Sequence, residues 1–160
     1  MARETKEGGQ ILVLCLGNDV RRDDGVAWQV ADELEKERPP GAVIRRSALA
    51  GFYLLDELLG FDRVVVVDAI QTGQRPPGAV LSFPLEAIHS PAGPSPHAVG
   101  LPAVLALGRS SGLSLPERIH VVAVEVEDMT TITEGLTPRV QESVDTAVRA
   151  VREACSAMLS

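Results

Sequence analysis

Aromatic residues are nearly missing from this chain: three Phe, one Tyr and one Trp make up 3% of its 160 positions. A core with so few rings has to be assembled from Val, Leu, Ile and Ala. Cysteine is as sparse. Cys15 and Cys155 lie far apart, with no CxxC and no Cys/His cluster, which speaks against a disulfide scaffold and for a reducing compartment, the cytoplasm. Cys15 reads as a small core residue, although its place at the end of a strand leaves a reactive thiol open. No apolar run approaches the roughly 20 residues that a membrane-spanning helix needs. The opening "MARETKEGGQ" is polar and has no hydrophobic signal core, so export is not expected and residues 1–9 read as a flexible tail. Basic residues are outnumbered, 15 Lys and Arg against 22 Asp and Glu, giving a net charge of −7. Such a surface repels phosphate backbones, and the arginines at 21–22 and 45–46 are pairs rather than a stripe, so nucleic acid is not an expected partner.

What is present is ordinary globular material, 45% hydrophobic and 23% charged, long enough for one domain with a real core and too apolar for disorder. Strand-like and helix-like patterns alternate. "QILVLCL" (10–16) is an apolar run of strand length, and "GVAWQVADELEKER" (25–38) places Val26, Ala27, Val30, Ala31 and Leu34 at helical spacing. "AVIRRSAL" (42–49) is a weaker strand suited to a sheet edge, and "AGFYLLDELLG" (50–60) a short helix closed by Gly60. "DRVVVVDAI" (62–70) is the clearest strand, its four valines calling for cover on both faces. "GAVLSF" (78–83), a helical stretch near 97–108, the strand "RIHVVAVEV" (118–126) and a long helix at 137–159 complete the chain. In the last helix Thr137 can cap and Pro138 suits the first turn. Segment 71–96, rich in proline and glycine, is the longest irregular region and a candidate mobile loop.

This alternation predicts a single α/β domain of three layers, α/β/α, with a mostly parallel twisted sheet of about five strands and helices on both faces. Sites in such sheets form at the C-terminal ends of the strands. Three acidic features fall there: the loop 17–24, Asp68 after the valines, and the segment 125–128.

The loop "CLGNDVRRDDG" has two adjacent acids and lacks both G-x-G-x-x-G and a Walker lysine, which excludes a phosphate-binding turn. Asp24 either caps the helix that starts at Gly25, with Asp23 solvated, or holds a metal where the helix dipole favours negative charge. Asp68 follows four buried valines and needs a partner: backbone amides, a cation or a metal. His97 follows Ser95 and Pro96, near a helix start. A ring there stays neutral and able to bind metal or accept a proton, although Pro102 fits better if the helix begins near Gly100 and leaves His97 on the loop. His89 and His120 have no acidic or cysteine company and read as structural. "GRSSG" (108–112) matches G-x-S-x-G, but a helix precedes it and a strand follows, the reverse of a nucleophile elbow.

The order of these pieces, a Gly-Asn loop with paired acids, then "VVDA", "SPHAVGL" and "GLTPRV", resembles the hydrogenase maturation endopeptidases. These enzymes trim the C-terminal extension from the large-subunit precursor of nickel–iron hydrogenases. The resemblance runs from about Gln10 to the last helix and implies that Asp24, Asp68 and His97 are the metal-binding and catalytic residues, leaving Asp23 for capping or support. It further implies that nickel comes with the precursor and that no organic cofactor is used; one compact domain with no coiled-coil signal makes a monomer the expectation. Cys15 and Ala27 stand where that family often has glycine, which bears on loop and helix packing rather than on the ligands.

Chemically, two carboxylates and one imidazole leave positions open on an ion such as Ni²⁺, so they bind weakly alone and better when a substrate supplies the rest. The metal could polarise the scissile carbonyl or activate water, or Asp68 could act as general base while Asp24 and His97 hold the ion. The alternatives are a non-catalytic metal-sensing or chaperone-like module, and a stand-alone metal-dependent amidohydrolase or peptidase. The second would need further ligands, for which Glu125, Glu127 and Asp128 are the nearby acids.

Overall fold

The structure, a computed structural model, describes residues 9–87 and 100–160. Five strands form one sheet: β1 (Ile11–Leu16), β2 (Ala42–Ser47), β3 (Arg63–Ile70), β4 (Val80–Pro84) and β5 (Arg118–Glu125). Their spatial order is β2-β1-β3-β5-β4, with every pair parallel except β4 with β5. The expected α/β architecture is therefore present. The connection 71–79 explains the antiparallel strand, because a parallel return needs a crossover of about a dozen residues or more. Of segment 71–96, residues 71–87 are described, and they contain β4, where "GAVLSF" is read, and a 3₁₀ turn (Leu85–Ala87).

Side-chain alternation divides the core in two. Ile11, Val13 and Cys15 of β1 and Val65 and Val67 of β3 pack beneath α1 (Val26–Lys36) and α4 (Pro138–Leu159). Leu12, Leu14 and Leu16, with Val64 and Val66, pack on the opposite face beneath α2 (Leu54–Leu58) and α3 (Leu101–Ser110). Each aliphatic side chain so buried contributes about 1.5–3 kcal/mol, which is how a core with few rings suffices. Cys15 and Ala27 are both fully buried and fit as small residues in the first of these layers.

Three local expectations shift. The helix at 50–60 is a 3₁₀ turn (Gly51–Tyr53) leading into the five-residue α2. The helix placed near 97–108 begins one residue after Gly100, as Pro102 demands, and runs to Ser110. Thr137 occupies the cap position of α4, but its hydroxyl does not cap the helix. β2 is an edge strand, half-exposed along most of its length. Its Arg46 ties it to α1 through Asp32 and through Glu35 (2.9 Å), an arrangement that lowers the Glu35 pKa and raises that of Arg46.

Candidate functional site

β1, β3 and β5 are parallel, so the segments that leave them meet at one sheet edge, as the strand order requires. β1 lies between β2 and β3, which makes the β1/β3 end the point where the chain changes direction across the sheet.

The loop after β1 closes tightly on itself. Gly17 donates from its amide to the Ser47 carbonyl (3.0 Å), Asn18 to the Asp24 carbonyl (3.2 Å) and Asp24 to the Arg21 carbonyl (3.1 Å). The Asn18 side chain accepts from the Val20 amide (3.2 Å), an Asx turn that explains why asparagine follows the glycine. A Cβ on Gly17 would lie 2.1 Å from the Asp24 carbonyl oxygen, and one on Gly25 would lie 2.9 Å from the Asp19 Cα. The two glycines are thus what allows the chain to return on itself. Arg22 completes the turn with a left-handed φ of 46°, which costs about 1–2 kcal/mol of backbone strain immediately before the two acids.

The acids have different fates. Asp23 is not solvated; it is fully buried. Its carboxylate accepts from the amides of Glu127 (3.2 Å), Asp128 (3.0 Å) and Thr137 (2.8 Å), and the Thr137 hydroxyl reaches both of its oxygens (3.0 and 2.9 Å). Its own amide donates to the Asp128 carbonyl (2.9 Å). Asp23 therefore fastens the β1 loop to the β5 loop and to the start of α4, and it is the reason Thr137 does not cap. Asp24 does not cap α1 either. The chain enters α1 through a 3₁₀ turn (Arg22–Gly25) with Gly25 at the cap position, and Asp24 is buried in that turn at 2% exposure.

Asp68 lies within β3, as the strand read at 62–70 implied; it is fully buried and is the first β3 residue beyond the register shared with β1. Alternation directs it to the face covered by α2 and α3, and its Oδ1 accepts from the Ala69 amide of its own strand (2.9 Å). Asp24 and Asp68 are thus two buried carboxylates at the same sheet edge. His97 falls outside the described residues, as do His89 and Ser95.

The neighbouring acids are committed elsewhere. Glu125 is buried, accepting from the Thr72 amide (2.8 Å) and hydroxyl. Asp128 accepts from the amides of Thr130 and Thr131 (both 3.0 Å) and from the Thr131 hydroxyl (2.5 Å), bonds that hold its carboxyl down at about 2. Glu127 is exposed. Among the described residues no group of three His, Cys, Asp or Glu gathers as a metal site. The Thr72–Glu125 pair was not anticipated; its one sequence signal is an acid ending an otherwise apolar strand.

The other leads resolve as structural. Burial pushes the Cys15 thiol up to about 12, far from a reactive thiolate. Ser110 ends α3 and donates to the Leu107 carbonyl (2.9 Å). His120 lies 2.7 Å from the Ser82 hydroxyl, and burial lowers its pKa. A cleft of about 230 Å³ lined by Asp19, Arg22, Trp28, Gln29 and Glu134 sits beside the loop, but neither Asp24 nor Asp68 lines it.

Comparison with known proteins agrees with this architecture. The hydrogenase maturation protease family matches residues 29–154, a span that includes Asp68 and begins just after Asp24. The hydrogenase 2 maturation protease of Escherichia coli is 30% identical over 148 residues, covering 89% of this chain and 88% of that protein. Among solved structures, the hydrogenase maturating endopeptidase HybD from E. coli superposes with a TM-score of 0.78 at 29% identity, covering 93% of each chain. The [NiFe] hydrogenase maturation protease HybD from Thermococcus kodakarensis gives 0.70 at 25% identity, covering 90% of this chain and 97% of that one. The chain belongs to the hydrogenase maturation protease family, and is thereby a hydrolase of the endopeptidase kind.

Proposed function

We propose that this protein removes the C-terminal extension of a nickel–iron hydrogenase large-subunit precursor once nickel has been inserted, and that it recognises the substrate-borne ion through Asp24, Asp68 and His97. The observation that carries this reading is the pair of buried carboxylates, Asp24 and Asp68, at one sheet edge of a chain from this family. Oxygen and imidazole donors suit a borderline divalent ion such as Ni²⁺, and three of them leave room for ligands that the precursor brings. The commitment of Glu125 to Thr72 and of Asp128 to Thr130 and Thr131 favours this over a self-sufficient metallohydrolase, which would draw on those acids.

In this scheme the ion supplies Lewis acidity at the bond to be cut. Asp24 and His97 orient the precursor by their hold on it. Asp68, on the strand floor, either completes that hold or takes the proton of the attacking water. The enzyme acts in the cytoplasm as a monomer without an organic cofactor; among the described residues no helix is long and apolar enough to cross a membrane.

The test mixes the purified protein with nickel-loaded and nickel-free precursor and follows the precursor C-terminus by mass spectrometry. Release of a C-terminal peptide from the loaded form alone is expected. Asp24→Ala, Asp68→Ala and His97→Ala should each abolish release while circular dichroism stays native. Full activity in all three variants would sink the proposed site, and binding without cleavage of any cognate precursor would favour a non-catalytic module.

A further inference from the structure

The edge that holds Asp24 and Asp68 also carries an apolar rim that the site itself does not use. Val20 is 42% exposed, Leu49 41%, Phe52 60%, Tyr53 72% and Ile132 75%. All five lie in segments that follow the C-terminal ends of parallel strands: Val20 after β1, Leu49 to Tyr53 after β2, and Ile132 after β5. The remaining large apolar side chains exposed among the described residues lie elsewhere, Leu107 on α3, Leu113 in the turn that enters β5, and Leu159 at the far end of α4.

Hydrogen bonds join the rim into one surface. Gly17 bonds to Ser47 at the end of β2 (3.0 Å), and Thr133 donates to the Val20 carbonyl (3.0 Å). The rim therefore runs from the β2 segment, through the β1 loop that carries Asp24, to the β5 loop. The stretch Ala48 to Tyr53 contains no charged side chain, and it holds two of the few aromatic rings in the chain, side by side and mostly in water. A sequence that places so few rings in its core and exposes two of them at one edge has an interface-like composition there, since aromatics concentrate at the centres of protein contacts.

We propose that this rim, centred on Phe52 and Tyr53, is the docking surface for the folded precursor beside its cleavage point. The proposal rests on the proteolytic reading above and names the surface by which that reaction selects its substrate. A second copy of this chain is the poorer occupant. It would bring a net charge of −7 against −7, and the exposed charges nearest the rim residues in sequence are mostly acidic, Asp19, Asp56, Glu127 and Glu134 against Arg21. The partner surface is accordingly apolar at its centre with basic flanks.

The test measures binding of purified nickel-loaded large-subunit precursor to immobilised protein, a readout independent of cleavage. Phe52→Ser/Tyr53→Ser should weaken binding about tenfold or more, the loss expected of an aromatic hot spot. Leu159→Ser, as exposed but at the opposite edge, should bind as wild type does. An unchanged thermal midpoint excludes misfolding, and Ile132→Ser provides a second variant should the double one fail to fold. Wild-type binding matched by the rim variants overturns the docking surface alone. A wild-type protein that sediments as a dimer, and as a monomer once Phe52 and Tyr53 are replaced, overturns it in favour of a second copy. A wild type that neither binds nor cuts the loaded precursor overturns the proteolytic reading, and this surface with it.

Discussion

Gly17 has no side chain, yet it determines where the Asp24 carboxylate can sit. A methyl group on Gly17 would stand 2.1 Å from the Asp24 carbonyl oxygen, so Gly17→Ala has to push the backbone of the 3₁₀ turn aside, because the obstacle is main chain and cannot rotate away. Overpacking of this kind costs about 1–3 kcal/mol. The variant should show that loss in urea denaturation together with a fall in precursor processing larger than the stability loss explains; native processing would mean that the turn is not what positions Asp24. The cysteines give a contrasting expectation. Cys15 is fully buried, and burial pushes Cys155 up to about 11 as well as Cys15 up to about 12, so neither presents a thiolate near neutrality. An aromatic disulfide reagent at about pH 8 should leave the native protein unmodified and label both thiols after denaturation. Rapid labelling of the folded chain would contradict the burial of both side chains.

At the scale of elements, one buried carboxylate links three of them. Asp23 accepts from the amides of Glu127 and Asp128 in the loop after β5 and from Thr137, the cap residue of α4, while standing in the turn that opens α1. Asp23→Asn keeps the shape but removes the charge and turns one acceptor oxygen into a donor facing amides, so a loss of about 2–3 kcal/mol is expected. Denaturant unfolding measures the loss, and amide exchange should localise it to 126–137 as much as to the β1 loop. A loss confined to residues 17–25 would mean that the contact to α4 carries little. The residues alone suggested a solvated Asp23, and only the family resemblance set it aside for capping or support; its partner was not legible at all. It lies 114 positions away, at a residue whose own pattern spelled a helix cap. Local signals such as Thr137-Pro138 or Asp24-Gly25 assume that a side chain serves the nearest helix. Burial overrules that assumption, because a buried carboxylate attracts every amide within reach.

For the molecule as a whole, the alternating pattern was enough to give the layers, the five strands and the edge where acids collect, since apolar runs bounded by turns leave few ways to bury both faces of a sheet. The direction of β4 was hidden, because it depends on the length of the connection 71–79 rather than on the strand's own residues. The exposed rim at 48–53 was hidden as well: its residues read as the end of a weak strand and the start of a helix, with nothing to show that the 3₁₀ turn before the short α2 leaves Phe52 and Tyr53 outside. The strand order also ranks stability. β3 is flanked by β1 and β5 and covered on both faces, so the amides of Val64 to Val67 have no route to solvent short of global opening. Native-state hydrogen exchange in urea should return for them the global unfolding free energy, with a denaturant slope equal to that of equilibrium unfolding. The edge strands β2 and β4 each have one paired side, and their amides should exchange at lower free energy with a shallower slope. If β4 matched β3, the antiparallel edge would belong to the same cooperative unit as the parallel sheet, and the 71–79 connection would be as firmly held as the core it borders.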